Sequence, residues 1–106
     1  MTDLDKDNFD EIVLASKGVF MVDFWSETCD TCVEMMPEIE TLEKSLAGKV
    51  RCGKVNLQGN RRLAIREKVL GLPTVAIYKD GQKVASFSQQ FSAAQVEAAI
   101  EELLGG

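Results

Sequence analysis

Val22-Asp23-Phe24-Trp25-Ser26-Glu27-Thr28-Cys29-Asp30-Thr31-Cys32 reads as an apolar strand that runs into two cysteines separated by two residues and then into a helix. Cysteines at this spacing in the first turn of a helix bring their sulfurs within reach of a small disulfide ring, and the first of them sits at the helix N-terminus. There the backbone N–H groups and the macrodipole favour a thiolate, so its pKa falls below the value of about 8.5 for a free thiol. Cys29 is therefore the candidate attacking thiolate. Cys32, one turn further in and followed by apolar Val33, Met35 and Met36, is expected to be more buried, which suits a resolving thiol that attacks a mixed disulfide from inside. Two plainer readings compete, a metal half-site and a pair of unrelated buried thiols. Zinc asks for a second C-x-x-C or a His pair, whereas this chain has no His and only one further cysteine, Cys52.

Upstream, Leu4 and its neighbours suggest a short edge strand, and Asn8 to Ser16 carry Phe9, Ile12, Val13 and Leu14 at helical spacing with Asp7 as the expected N-cap. Val19 to Trp25 is almost continuously apolar, as a central strand covered on both faces should be. Asp23 breaks that run. An unpaired carboxylate there would cost several kcal/mol, so Asp23 must either take a raised pKa or find a cation, and Lys54 on the next strand is the candidate.

Downstream, Cys32 to Ala47 repeats apolar residues at Cys32, Val33, Met35, Met36, Ile39, Leu42 and Leu46, with Pro37 inside the helix and Gly48 to end it. Val50 to Leu57 reads as a second buried strand, in which Cys52 is expected to be an inert, buried thiol. A short helix over Asn60 to Lys68, with Asn60 as cap, opens on Arg61 and Arg62. That pair suits either a solvated face or the docking of an acidic partner protein. In Gly71-Leu72-Pro73-Thr74, a proline with no N–H to donate precedes the buried strand Val75 to Tyr78, a natural place for a cis peptide. Asp80-Gly81 signals a hairpin, Lys83 to Ser88 the returning strand, and Ser92 with Gln95 a capping box, Phe91 and Val96 its apolar staple, ahead of a last helix.

The run Met21 to Trp25, the C-x-x-C, Pro37, Lys54-Val55-Asn56-Leu57, Gly71-Leu72-Pro73-Thr74 and Lys79-Asp80-Gly81 stand in an order that resembles the thioredoxin family over nearly the whole chain. The resemblance implies an α/β thioredoxin fold, with a central mixed sheet of four to five strands flanked by four helices, in a single domain over residues 1–106. It implies a protein-disulfide reductase in which the Cys29–Cys32 dithiol cycles through a disulfide, Asp23 relays the proton of Cys32 and Lys54 tunes Asp23. By the same resemblance Leu72 and Pro73 form the edge along which an extended substrate adds as a strand. Trp25, Thr28, Asp30, Thr31 and Gln89 complete the substrate-facing surface. The partners implied are disulfide-containing proteins and a flavoprotein of the thioredoxin-reductase type, with no cofactor and no metal.

Composition agrees with that class. At 106 residues the chain is expected to be one domain, and 45% apolar with 27% charged residues is ordinary for a globular protein. A net charge of −5 argues against nucleic-acid binding, and no apolar run approaches the roughly 20 residues that span a bilayer. The start, Met1 to Asp7, is acidic and lacks an apolar signal core, so a cytoplasmic location is expected, and the resemblance implies a monomer.

Four positions depart from the common thioredoxin pattern. Thr28 replaces the tryptophan before the first cysteine, Asp30-Thr31 replaces Gly-Pro between the two, and Gln89 stands where a glycine usually helps shape the substrate groove. Asp30 places a like charge beside the thiolate, costing roughly 0.7–3 kcal/mol at about 6 Å, with solvent screening favouring the lower end. A less acidic thiol stabilises the disulfide, so the expected potential is about −270 mV or lower. Competing functions are a redox-inactive binding module of the same fold and a disulfide isomerase or oxidant. A third, a sulfur-carrier or modifier role, is suggested by the ending Leu103-Leu104-Gly105-Gly106.

Overall fold

The protein is described from a computed structural model covering residues 1–105. Five strands, β1 (Thr2–Leu4), β2 (Val19–Trp25), β3 (Arg51–Asn56), β4 (Thr74–Lys79) and β5 (Gln82–Ser88), form one mixed sheet in the order β1-β3-β2-β4-β5. β1 and β2 flank β3 in parallel, and β4 runs antiparallel to both β2 and β5. Three α-helices, α1 (Asp30–Ser45), α2 (Arg61–Arg66) and α3 (Ala93–Leu103), and a π-helical turn (Asp10–Leu14) complete the thioredoxin-type α/β arrangement.

The period-two alternation of a strand divides the core into two layers. On one face Phe20, Val22 and Phe24 of β2 pack against Val13 of the π-helical turn, against Phe9 just before it, and against Leu63 and Ala64 of α2. On the other, Val19 and Met21 meet Ile39 and Leu42 of α1 and Val96 and Ile100 of α3. β2 lies at the centre of both layers, with its first six residues buried. That is why its sequence is nearly unbroken apolar, whereas β5 at the edge alternates exposed and half-buried positions.

Local signals account for most of the boundaries. Asp80 and Gly81 both take left-handed φ, 52° and 82°, the geometry of a tight two-residue hairpin turn. The Asp80 carboxylate also accepts the Gly18 N–H at 2.8 Å, tying the hairpin to the start of β2. At α3 the Ser92 hydroxyl accepts the Gln95 N–H at 3.2 Å, and the Gln95 carboxamide accepts the Ser92 N–H at 2.9 Å.

Elsewhere the structure corrects the sequence reading. The first helix is a π-helical turn of five residues in which Ala15 N–H reaches back to Asp10 O. Asp5, not Asp7, organises its approach: the Asp5 carboxylate accepts the N–H of Asp7 and of Asn8, and the Asn8 carboxamide oxygen accepts the Asp5 N–H. Asn60 precedes α2 but its side chain does not cap it; the oxygen accepts Lys6 N–H at 2.9 Å and the amide donates to Asn56 O at 2.8 Å. Val33, placed with the apolar face of α1 by its spacing, is 51% exposed. Cys52 is buried on β3, as expected of an inert thiol, and burial with the nearby Glu43 charge pushes it up to about 11. Leu103 ends α3, and the final Gly106 of the diglycine ending lies outside the described residues.

Candidate active site

β2, the central strand, ends at Trp25, and a tight loop turns the chain into α1. Ser26 holds that loop: its hydroxyl meets the Thr28 hydroxyl at 3.0 Å and accepts the Thr28 N–H at 3.3 Å, while its carbonyl accepts the Cys29 N–H at 3.1 Å. Cys29 is thereby set as the N-cap of α1, with extended backbone, and its Sγ accepts the Cys32 N–H at 3.2 Å. The two cysteines are joined in a disulfide with Cα atoms 5.3 Å apart. Cys29 is half-buried and Cys32 is 3% exposed, so only the first sulfur is open to a partner. Asp30 and Thr31, the two residues between them, are both exposed.

Asp23 lies two residues along β2 from Met21, which puts it on the face covered by α1, the helix that carries Cys32. It is 4% exposed, and no side-chain hydrogen bond or ion pair involving it is found among the described residues. Burial pushes its carboxyl from the ordinary 3.8 up to about 7, and the Lys54 ammonium pulls partly back. Asp23 and Lys54 are paired in register across β2 and β3. The lysine head is directed elsewhere, 5.7 Å from the centre of the Trp25 ring and 3.9 Å from the exposed Asp3 carboxylate. Lys54 thus acts on Asp23 through space, not as a contact ion pair. Of the two outcomes the sequence allowed for Asp23, a raised pKa prevails, because the alternation of the strand fixes which side chains share a face but not where a long flexible head settles.

The Leu72–Pro73 peptide is cis. Its surroundings are held by Gln89 N–H donating to Pro73 O at 2.8 Å and by the Thr74 hydroxyl, which donates to Gly71 O at 2.6 Å and meets the Ser88 hydroxyl at 2.9 Å. Gln89 itself has a left-handed φ of 65°, and its carboxamide lies so close over Gly71 that a Cβ there would stand 2.7 Å from its nitrogen. Leu72 and Cys29 line one groove of about 660 Å³. Trp25 is half-buried, and its indole Nε1 has no hydrogen-bond partner among the described residues. Sequence reasoning passed over Ser26, whose place three residues before Cys29 is a Ser/Thr-turn signal, and Ile65, an exposed residue of α2 in the same groove.

This arrangement can shuttle two electrons: a half-exposed sulfur at a helix N-terminus, a buried partner sulfur one turn in, a buried carboxyl titrating near neutrality on the same side of the sheet, and a groove shared by Cys29 and Leu72. The thioredoxin family model matches residues 1–102. The chain is 49% identical over 105 residues to the thioredoxin of Acetoanaerobium sticklandii, covering 98% of this chain and 100% of the relative. It is 39% identical over 106 residues to the thioredoxin of Peptoclostridium acidaminophilum, covering 99% and 96%. To the thioredoxin of Rhodospirillum rubrum it is 39% identical over 79 residues, 74% of this chain and 76% of that one.

Proposed function

The chain belongs to the thioredoxin family, a protein-disulfide reductase and electron carrier working through thiol–disulfide exchange, and on that premise we propose that Cys29 attacks, Cys32 resolves and Asp23 carries the proton between the two steps. The Cys29 thiolate attacks one sulfur of a substrate disulfide; a Cys29–substrate disulfide forms and the other substrate sulfur leaves as a thiolate. Cys32 gives its proton to the Asp23 carboxylate and attacks Cys29 Sγ. The Cys29–Cys32 disulfide closes and the second substrate thiolate leaves, so the substrate gains two electrons and the protein loses two. A reductase of the thioredoxin-reductase type returns them.

The observation that carries this reading is the contrast at the two ends of one disulfide: Cys29 half-buried with the Cys32 N–H on its sulfur, and Cys32 almost wholly enclosed. The same N–H stabilises a thiolate at Cys29 once the disulfide opens. Asp23, with a pKa of about 7, can accept a proton at neutral pH and release it again. Lys54 biases that equilibrium through space, and Trp25, whose ring the lysine faces, walls the site. The substrate strand lies along Leu72 and Pro73. Thr28, Asp30, Thr31 and Gln89, all exposed, set which proteins are accepted and make partner choice differ from that of the common thioredoxin site. A single domain in the cytoplasm fits this role, and no helix among the described residues is long and apolar enough to cross a membrane.

The test is insulin reduction together with trapping. Cys29→Ser is expected to abolish turnover, and Cys32→Ser to accumulate a covalent complex with a disulfide substrate that dithiothreitol releases. If Cys29→Ser trapped the substrate while Cys32→Ser formed no covalent complex, the two roles would be reversed. A midpoint potential near about −180 mV or above would identify an isomerase or oxidant instead.

A further inference from the structure

The groove that holds Cys29 continues onto α2, where Leu57, Ile65, Val69 and Leu72 form its apolar walls and Arg61 its charged one. Ile65 is 72% exposed and Leu70, between two of these wall residues in sequence, is 95% exposed, the two most open large apolar side chains in the chain. Apolar surface left in water at a groove gains by being covered.

Charge is divided across this surface. Arg61 and Arg62 are exposed, and neither has an acidic group within ion-pair distance among the described residues, whereas Arg66 on the same helix is bound to Asp10 and Glu67. They stand as free cations in a chain of net charge −5. Around the N-terminus of α1 the exposed charges have the other sign: Glu27, Asp30 and Glu34. An extended segment rises about 3.3 Å per residue, so side chains two or three places from its cysteine lie about 7–10 Å to either side of Cys29 Sγ. At that reach one flank lies over α2 and the other over α1.

We propose that the groove from Cys29 to Arg61 is a charge-polarised cleft for substrate polypeptide, selecting segments with an acidic side chain on the flank over α2 and a basic one on the flank over α1. The inference rests on Cys29 being the attacking thiolate. Ile65 covers the apolar part of the bound segment, and Arg61, reinforced by its exposed neighbour Arg62, fixes its direction. Opposite fields on the two sides of one sulfur discriminate between the two directions of a chain, which an apolar groove alone does not.

The experiment uses two synthetic peptides of identical composition, each with one cysteine carried as a mixed disulfide with thionitrobenzoate. One has glutamates before the cysteine and lysines after it, and the other has them exchanged. Attack of the Cys29 thiolate on the peptide sulfur releases thionitrobenzoate, which is read by absorbance; Cys32 then frees the peptide thiol. The reporter's own charge is common to both peptides and cancels in their ratio. With pre-reduced full-length protein at low ionic strength, one peptide should react about two- to fivefold faster, the factor expected for surface charge pairs. The ratio should fall towards one at about 0.5 M salt and also in R61E/R62E, where both flanks are acidic, with R61Q/R62Q intermediate. Equal rates in the unaltered protein at low salt would overturn the proposal while leaving the reductase assignment intact. A ratio unmoved by salt and by both variants would remove the arginines from it. If neither peptide reacted while the cysteine variants behaved as stated above, recognition would not lie in this groove.

Discussion

Replacing Asp23 by asparagine should stabilise the oxidised protein, and by an amount that grows with pH. Asp23 is 4% exposed and its carboxyl stands at about 7 instead of 3.8, with burial the larger cause and Lys54 a partial offset. A carboxyl whose folded pKa is raised favours the folded state only while it is protonated. Its stability is fully present below the unfolded value of 3.8 and is lost as pH rises through the folded value near 7. A tenfold change in proton affinity is about 1.4 kcal/mol, so the whole loss is about 4 kcal/mol. At pH 5 the unfolded carboxyl is already ionised and about 2 kcal/mol has gone; by pH 9 all of it has.

Asparagine has nearly the same shape and cannot ionise, so the variant lacks this pH-dependent loss. Guanidinium unfolding of both proteins at several pH values from 5 to 9 measures the difference. The advantage of Asp23→Asn should widen by about 2–3 kcal/mol across that range. The widening is the informative quantity, because any fixed cost of housing the amide without partners cancels in it. A pH-independent difference would mean that Asp23 is ionised throughout, held by a cation or by water, and would remove the neutral-pH proton acceptor from the mechanism. The same substitution should slow the release of substrate from the mixed disulfide, by about a hundredfold or more if Asp23 is the base for Cys32. A variant that is more stable yet slower separates the carboxylate's cost from its use.

Three further substitutions probe the surroundings. Asp30→Asn removes the charge beside Cys29 and should make the midpoint potential less negative by about 15–30 mV, measured against defined dithiothreitol ratios; an unchanged or more negative value refutes the charge argument. Gln89→Gly relieves a left-handed residue worth about 1–2 kcal/mol, partly offset by the freedom glycine adds to the unfolded chain, for a net gain of about 0.5–1 kcal/mol in chemical denaturation. A loss instead would mean that the packing of Gln89 over Gly71 is the stronger effect. Gly53→Ala places a Cβ 2.5 Å from Leu4 Cδ1 and 3.1 Å from Thr2 O, so it should cost about 1–3 kcal/mol. It should also speed amide exchange at the β1–β3 pairing, and exchange left unaltered there would show that the edge strand yields without separating.

What the sequence discloses about this molecule depends on how local the deciding chemistry is. The Asp80-Gly81 turn and the Ser92–Gln95 box are complete within four residues, and both appear where their spacing put them. Asp23 was visible as the one charge in an apolar run, because burial of β2 on both faces follows from its composition alone. Asp7 and Asn60 misled because capping is a competition among neighbours. Asp5 and Asn8 bond each other reciprocally, and Asn60 is claimed by Lys6, 54 residues away. Lys54 shows the same limit in another form: the register with Asp23 was legible, but the resting place of the ammonium between the Trp25 ring and Asp3 is a tertiary fact. Ile65 was unreadable for a different reason, since an apolar residue on a short helix looks the same whether it faces the core or a groove.

Burial also explains where this chain can differ from the common thioredoxin pattern. Thr28, Asp30, Thr31 and Gln89, the departures around the dithiol, are all exposed. There a charge is screened and its interactions amount to about 1 kcal/mol or less. Asp23 and Pro73, which follow the pattern, are buried, and Lys54 is half-buried against a ring. A new charge at those depths would cost several kcal/mol against a total stability of about 5–15 kcal/mol. The two sets are therefore under different physical constraints although they surround the same disulfide. Exchanging the exposed set for the common residues should move the potential and the choice of partner while changing stability by little more than the roughly 0.5–1 kcal/mol expected at Gln89. Changes behind the dithiol should instead alter stability and proton transfer together, since both act through the one buried carboxyl.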